Sequence, residues 1–190
     1  LAEIMYRFLA LFMSAALLGC GTASPGKTDP IVSRSPEEVK LTAVYWGDCQ
    51  VSDYMPSRHN NLLAACEDVN NAAETIDALI LAGDIAENGK AAEYRLVLDD
   101  LQTVKNVQNF LPATGNHDIR LRLFSKTVEQ FSEFANALNP SLKLDKLYYS
   151  YEINGYGFIV LGSVKTVFEE AYLDEEELRW LDAQLAVATA

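Results

Sequence analysis

Basic charge is scarce in this chain: 15 lysines and arginines face 27 aspartates and glutamates, for a net charge of −12. A groove that follows a phosphate backbone needs a basic face, so no nucleic-acid-binding surface is expected. Histidine is scarcer still, with only His59 and His117. No apolar run reaches the ~20 residues that a membrane-spanning helix needs. No internal repeat or low-complexity block is visible either. What is present is apolar substance: at 49% apolar residues general disorder is excluded. A length of 190 residues suits one domain with a substantial core, and is too short for two large ones.

The amino end has the layout of a secretory signal, with Arg7 as a basic start, Phe8 to Leu18 as an apolar run and Leu17-Leu18-Gly19-Cys20 closing it. That ending resembles a bacterial lipobox, which implies cleavage before Cys20 and a lipid on the new terminal cysteine. A conventional signal peptide cut nearby, or an uncleaved anchor, is the alternative. Ser24-Pro25-Gly26, Asp29-Pro30 and Ser35-Pro36 give the following stretch the composition of an extended tether. The expected organisation is a signal peptide over 1–19, a lipid-anchored tether over 20–37 and one globular domain over 38–190, in an extracytoplasmic bacterial membrane lipoprotein. Such a compartment permits a disulfide between Cys49 and Cys66, but two cysteines do not establish one. Cys66 lies in an apolar, helix-like stretch and reads as a buried free thiol.

Three polar clusters each close a strand-like apolar run. Leu41 to Trp46 leads into Gly47-Asp48-Cys49-Gln50, Ala78 to Ala82 into Gly83-Asp84, and Phe110 to Thr114 into Gly115-Asn116-His117-Asp118. Short apolar runs bounded by glycine are typical of buried strands in an α/β sheet, whose ligands collect beyond the strands' carboxyl ends. If the three strands are neighbours, two carboxylates, a carboxamide and an imidazole converge there, a set suited to divalent metal. Taken singly, each cluster is also an ordinary turn.

Between the clusters, Leu62, Leu63, Cys66 and Val69 recur at helical spacing over 60–69, and a second helix is expected over 90–104. In that helix Glu93, Arg95, Asp99 and Asp100 form the polar, solvated face. Phe124, Val128, Phe131, Ala135 and Leu138 mark a long amphipathic helix ended by Asn139-Pro140. Asn154-Gly155, between the strand-like 148–153 and 156–161, signals a two-residue hairpin turn. A capping box, Asp174 with Glu177, opens a last helix that carries Leu178, Leu181 and Leu185 on one face. The order β-α-β-α-β-α-β-β-α favours a layered α/β domain.

These residues resemble the calcineurin-like metallophosphoesterase family over about residues 40–190. Gly83-Asp84-Ile85-Ala86-Glu87-Asn88-Gly89 is similar to the family's second block and Gly115-Asn116-His117-Asp118 to its third, in the family's order. The resemblance implies an α/β/β/α sandwich, here without its carboxyl-terminal part, and two divalent or trivalent metal ions (Mn, Fe or Zn). It implies that Asp48 binds one metal, Asp84 bridges both and Asn116 binds the second. His117 is implied to be catalytic, stabilising the transferring phosphoryl group or protonating the departing oxygen. Glu87 matches the acid that orients this histidine in some members; Asp118 is the rival, and a plain surface carboxylate the alternative for both.

Two departures stand out. Asp48-Cys49-Gln50 replaces the family's Asp-x-His, leaving Gln50 either as a direct ligand through a neutral oxygen or as a water-bridged neighbour. The family's later His and Gly-His-x-His block are absent, and His59 reads as a surface residue. A sequence that opens on Leu1 and stops at Ala190 is expected to be a fragment of a longer reading frame. The implied activity is hydrolysis of phosphate mono- or diesters by a metal-bound hydroxide, acting on a phosphorylated small molecule or a phosphodiester. The alternative is a non-catalytic lipoprotein that keeps the fold as a binding module. A nucleotide-binding domain ranks last, since no Gly-rich phosphate loop follows the first strand.

Overall fold

The computed structural model describes residues 41–120, 124–163 and 172–188. The expected signal segment, Cys20 and the tether lie outside them, as does the side chain of Phe124. The elements run β1 (Ala43–Trp46), α1 (Pro56–Asn70), β2 (Ile76–Ala82), α2 (Ala91–Leu101), β3 (Val107–Ala113), α3 (Asn116–Ile119), α4 (Phe124–Leu138), β4 (Tyr149–Ile153), β5 (Tyr156–Val160) and α5 (Glu175–Ala188). This is the α/β architecture that the element order predicts.

Strands β1, β2 and β3 form one parallel sheet in chain order, with Trp46 beside Leu81 and Ala82 beside Ala113. The β2 run is apolar on both faces because the strand is central: Ala78, Leu79 and Leu81 are fully buried. Helix α2 packs against both α1 and α4, with Leu62, Cys66 and Val69 from α1, Tyr94, Val97 and Leu101 from α2, and Phe131, Phe134 and Ala135 from α4 in the common core. The Tyr94 ring stacks on Phe134 at 5.0 Å and meets Phe131 edge-on at 6.3 Å. Burying each large apolar side chain stabilises the fold by roughly 1.5–3 kcal/mol.

Strands β4 and β5 form a separate antiparallel hairpin, turned by Asn154 at φ 54° and Gly155 at φ 78°. Positive φ at both positions is what a two-residue turn of this hand requires, and Asn-Gly tolerates it best. The hairpin is tied to the parallel sheet by Tyr149, whose hydroxyl donates to Pro112 O at 2.9 Å, and by Tyr151, whose hydroxyl donates to Asn109 Oδ1 at 3.2 Å. These two tyrosines therefore serve packing between the sheets.

Four expectations about the helices and their neighbours need correction. Glu93 and Asp100 are buried rather than solvated. Glu93 folds back to accept the amides of Asn88 at 2.9 Å and Lys90 at 3.1 Å at the start of α2, and Asp100 meets His59 Nε2 of α1 at 2.8 Å. His59 is accordingly half-buried between helices, not a surface residue. Leu63 is exposed, because the buried stripe of α1 is Leu62, Cys66 and Val69. In α5 the capping bond is present, Glu177 N to Asp174 Oδ1 at 2.8 Å, but Leu178 and Leu185 are exposed. The helix docks by another flank: Trp180 lies 4.9 Å from the Tyr148 ring and Gln184 accepts from Ser150 at 2.8 Å.

Candidate functional site

Parallel pairing in register brings the three polar clusters to one edge of the sheet, beyond Trp46, Ala82 and Ala113. The first two clusters continue side by side past the strands. Asp48 N–H donates to Gly83 O at 3.3 Å, Gln50 N–H to Asp84 O at 2.7 Å and Val51 N–H to Ile85 O at 3.0 Å, and Glu87 N–H returns to Val51 O at 2.9 Å. The third cluster joins through His117 N–H, which donates to Asp84 Oδ1 at 2.8 Å. This approach needs glycine: a Cβ on Gly115 would lie 2.2 Å from Asp84 Oδ1 and 2.4 Å from Asp84 N. Gly83, at φ 91°, lines the same gap: a Cβ there would lie 3.1 Å from Gly115 Cα.

Backbone strain gathers at the residues singled out by the sequence. Asp48 at φ 55°, Gln50 at φ 41° and Asp84 at φ 50° occupy the left-handed region. Among the described non-glycine residues only Lys143 and Asn154 share it. Each such residue costs on the order of 1–3 kcal/mol and persists only where surrounding bonds impose it, a pattern that concentrates at functional sites.

Asp118 is fully buried and serves the scaffold. Its carboxylate accepts the amides of Gly115 at 2.8 Å, Ala86 at 3.0 Å and Ile85 at 3.2 Å, and the Tyr94 hydroxyl at 3.1 Å. Burial pushes its pKa up to about 6 against the pull of the three amides, and the Asp84 charge adds to the rise. The surface alternative for this residue is therefore overturned, and of the two acids Glu87 is the one beside the His117 ring. Glu87, also buried, has Oε2 3.6 Å from His117 Nδ1, while its backbone carbonyl accepts from the same nitrogen at 3.0 Å. A carbonyl can only accept, so this closer contact calls for the proton on Nδ1, with Arg120 Nη1 farther from the same nitrogen at 3.5 Å; Nε2 is the other end of the ring. Arg58 pairs with Glu87 Oε2, and Arg120 approaches Oε1 at 3.6 Å.

Cys49 and Cys66 are both free thiols, Cys66 buried as expected. Burial pushes Cys49 up to about 11, and the charges of Asp118 and Asp48 add to it. Asp48, Asp84 and Asp118 thus crowd negative potential into one region, a condition that a bound cation relieves. The donors fit a cation in kind: Asp48 and Asp84 offer carboxylate oxygens, Gln50 and Asn116 carboxamide oxygens. Among the described residues no three His, Cys, Asp or Glu side chains form a metal-holding group. The four candidate donors lie on adjoining loops, and the carboxamides are half the set.

Sequence reasoning missed Arg58 and Tyr94. Arg58 lies 29 positions from Glu87, and Tyr94 sits in a helical pattern whose apolar reading is also correct, so neither leaves a local signal.

An α/β domain with three glycine-linked acidic loops at one sheet edge defines the class, and comparison with known proteins agrees. Residues 44–185 match the model of the calcineurin-like phosphoesterase family, and the chain belongs to that family. It is 37% identical over 73 residues to purple acid phosphatase 15 of Arabidopsis thaliana, covering 38% of this chain and 13% of that protein. It is 26% identical over 122 residues to the glycerophosphodiester phosphodiesterase GpdQ of Enterobacter lignolyticus (strain SCF1), covering 63% of this chain and 40% of that one. The chain therefore spans less than half the length of either relative.

Proposed function

We propose that this protein hydrolyses phosphate mono- or diesters with a pair of metal ions (Mn, Fe or Zn) held in part by Asp48, Gln50, Asp84 and Asn116. The carrying observation is the junction of the three loops, where the Asp84 carboxylate receives the His117 amide at 2.8 Å. When bound, the metals supply an activated water for in-line attack on phosphorus and neutralise the phosphoryl oxygens. Asp84, between the second and third loops, would offer its carboxylate to both metals and offset the repulsion between them. Asn116 and Gln50 add oxygen without adding charge beside an anionic ester. His117, held at Nδ1 by the Glu87 carbonyl, presents Nε2 to the phosphoryl group or the departing oxygen. Two relatives, named a purple acid phosphatase and a glycerophosphodiester phosphodiesterase, support both ester classes without choosing between them.

The test is turnover of 4-nitrophenyl phosphate and bis(4-nitrophenyl) phosphate with Mn²⁺, Fe²⁺/Fe³⁺ or Zn²⁺ supplied. Metal-dependent hydrolysis lost in Asp84→Asn is the expected result. Metal binding without turnover would favour the second reading, a binding module, for which Gln50 in place of an imidazole speaks. The Arg7, Phe8 to Leu18 and Cys20 pattern supports an extracytoplasmic site of action with a lipid anchor. Cys20→Ala should release the protein from membranes or leave its precursor unprocessed. Among the described residues no helix is long and apolar enough to cross a membrane.

A further inference from the structure

We propose that Arg58, from the first turn of α1 and outside all three loops, is a positioning residue for His117, acting through Glu87. The proposal rests on the phosphoesterase reading for its catalytic consequence. Arg58 Nη1 donates to Gln50 O at 3.3 Å and pairs with Glu87 Oε2, so one guanidinium joins the first loop to the second. The Glu87 carboxylate is buried, and its other oxygen lies 3.6 Å from Arg120.

The arrangement settles a competition for one proton. His117 Nδ1–H has two acceptors within reach, the Glu87 carbonyl at 3.0 Å and Glu87 Oε2 at 3.6 Å. A carboxylate is ordinarily the stronger acceptor, because charge-assisted hydrogen bonds are roughly twice as strong as neutral ones. The N–H nevertheless points to the carbonyl, and the pairing of Oε2 with Arg58 holds the carboxylate back from the ring. Removing the guanidinium would leave a buried, half-paired carboxylate, which is costly. Two donors then remain at 3.6 Å, Arg120 Nη1 and the imidazole N–H, and a move of Oε2 onto the imidazole would turn the ring and shift Nε2. Arg58 also donates to the carbonyl of Gln50, whose backbone is held at φ 41°.

Two histidines in the whole chain make the test direct, because the imidazole region of a ¹H–¹⁵N spectrum contains only His117 and the reference His59. The full chain, metal-free, is compared as wild type, Arg58→Met and Arg58→Lys at one pH. Arg58→Met should shift or exchange-broaden the His117 ring signals and leave His59 in place, and Arg58→Lys, which keeps a charge on Glu87, should restore them in large part. Where Met is not tolerated, Arg58→Gln carries the same comparison. With metal and a phosphoester supplied, Arg58→Met should lower kcat by roughly 10- to 100-fold, a share of the ~10²–10⁴-fold that a general acid or base contributes. KM and metal content should be unchanged. Unshifted His117 signals in a folded Met or Gln variant would overturn the proposal, as would a loss carried by metal content instead of kcat. If wild type hydrolyses no phosphoester, the functional reading fails while the His117 spectrum still decides the positioning role.

Discussion

Asp84 Oδ1 accepts the backbone amide of His117 at 2.8 Å, so the carboxylate that closes β2 also fixes the start of the short helix after β3. A candidate metal ligand and the residue expected to act on substrate are thereby held by a single bond. This bond exists because Gly115 lets the third loop reach the second, and because Asp118 gathers the amides of Ile85, Ala86 and Gly115 beneath both. The candidate donors thus sit on a junction braced by the hydrogen bonds of the buried Asp118.

Gly115→Ala should therefore damage the site without touching a donor. The added Cβ would fall 2.2 Å from Asp84 Oδ1 and 2.4 Å from a backbone nitrogen that has little room to give. Overpacking of this kind costs about 1–3 kcal/mol. Urea unfolding should show that loss, and metal affinity should drop with it; wild-type values of both would show that the loops are not as close as described.

Stability should also fall in alkali. Burial lifts Cys49 and Cys66 from 9.0 to about 11, so the unfolded chain releases these protons before the folded one. The contribution is whole below pH 9 and is lost as pH rises to 11. Tyr149, its buried hydroxyl donating to Pro112, is shifted upward too and adds to the same slope. Cys66→Ala should flatten the decline in unfolding midpoint across that window. An equally steep decline in the variant would assign the effect elsewhere.

The sheet edge was legible in the sequence because a buried parallel strand shows as an apolar run and its ligand loop as a glycine followed by polar residues. The hairpin was legible because Asn-Gly is among the few pairs that accept φ of 54° and 78° in succession. Burial of charge was not. Glu93, Asp100 and Asp118 look like solvated carboxylates until the backbone amides and the His59 ring that receive them are brought up by tertiary folding. Likewise the apolar residues of α5 gave the helix correctly and its docking flank wrongly, since periodicity states which residues share a face but not what covers it.

Glu87→Gln and Asp118→Asn should separate orientation from scaffold. Asn at 118 turns one acceptor into a donor facing amides that also donate, leaving buried groups unpaired at about 1–3 kcal/mol each. Its loss should register in unfolding. Gln at 87 keeps the backbone carbonyl that holds His117 and should cost less stability while lowering kcat. The reverse ranking would make Asp118 the orienting acid.

The sharpest division lies between Asp84 and His117. Asp84→Asn keeps an oxygen for the His117 amide, so the fold should survive, but a neutral amide cannot offset two close cations and both metals should weaken. His117→Asn should leave metal content nearly intact, because the ring is held at Nδ1 by the Glu87 carbonyl at 3.0 Å and is assigned to the substrate rather than to a metal. Its kcat should fall roughly 10²–10⁴-fold, the range for removing a general acid or base. The loss should be smallest for aryl esters, whose leaving groups need little protonation. Metal analysis and a leaving-group series on both variants decide the matter. A metal lost from His117→Asn would make His117 a ligand, and activity unchanged in that variant would remove the imidazole from the reaction.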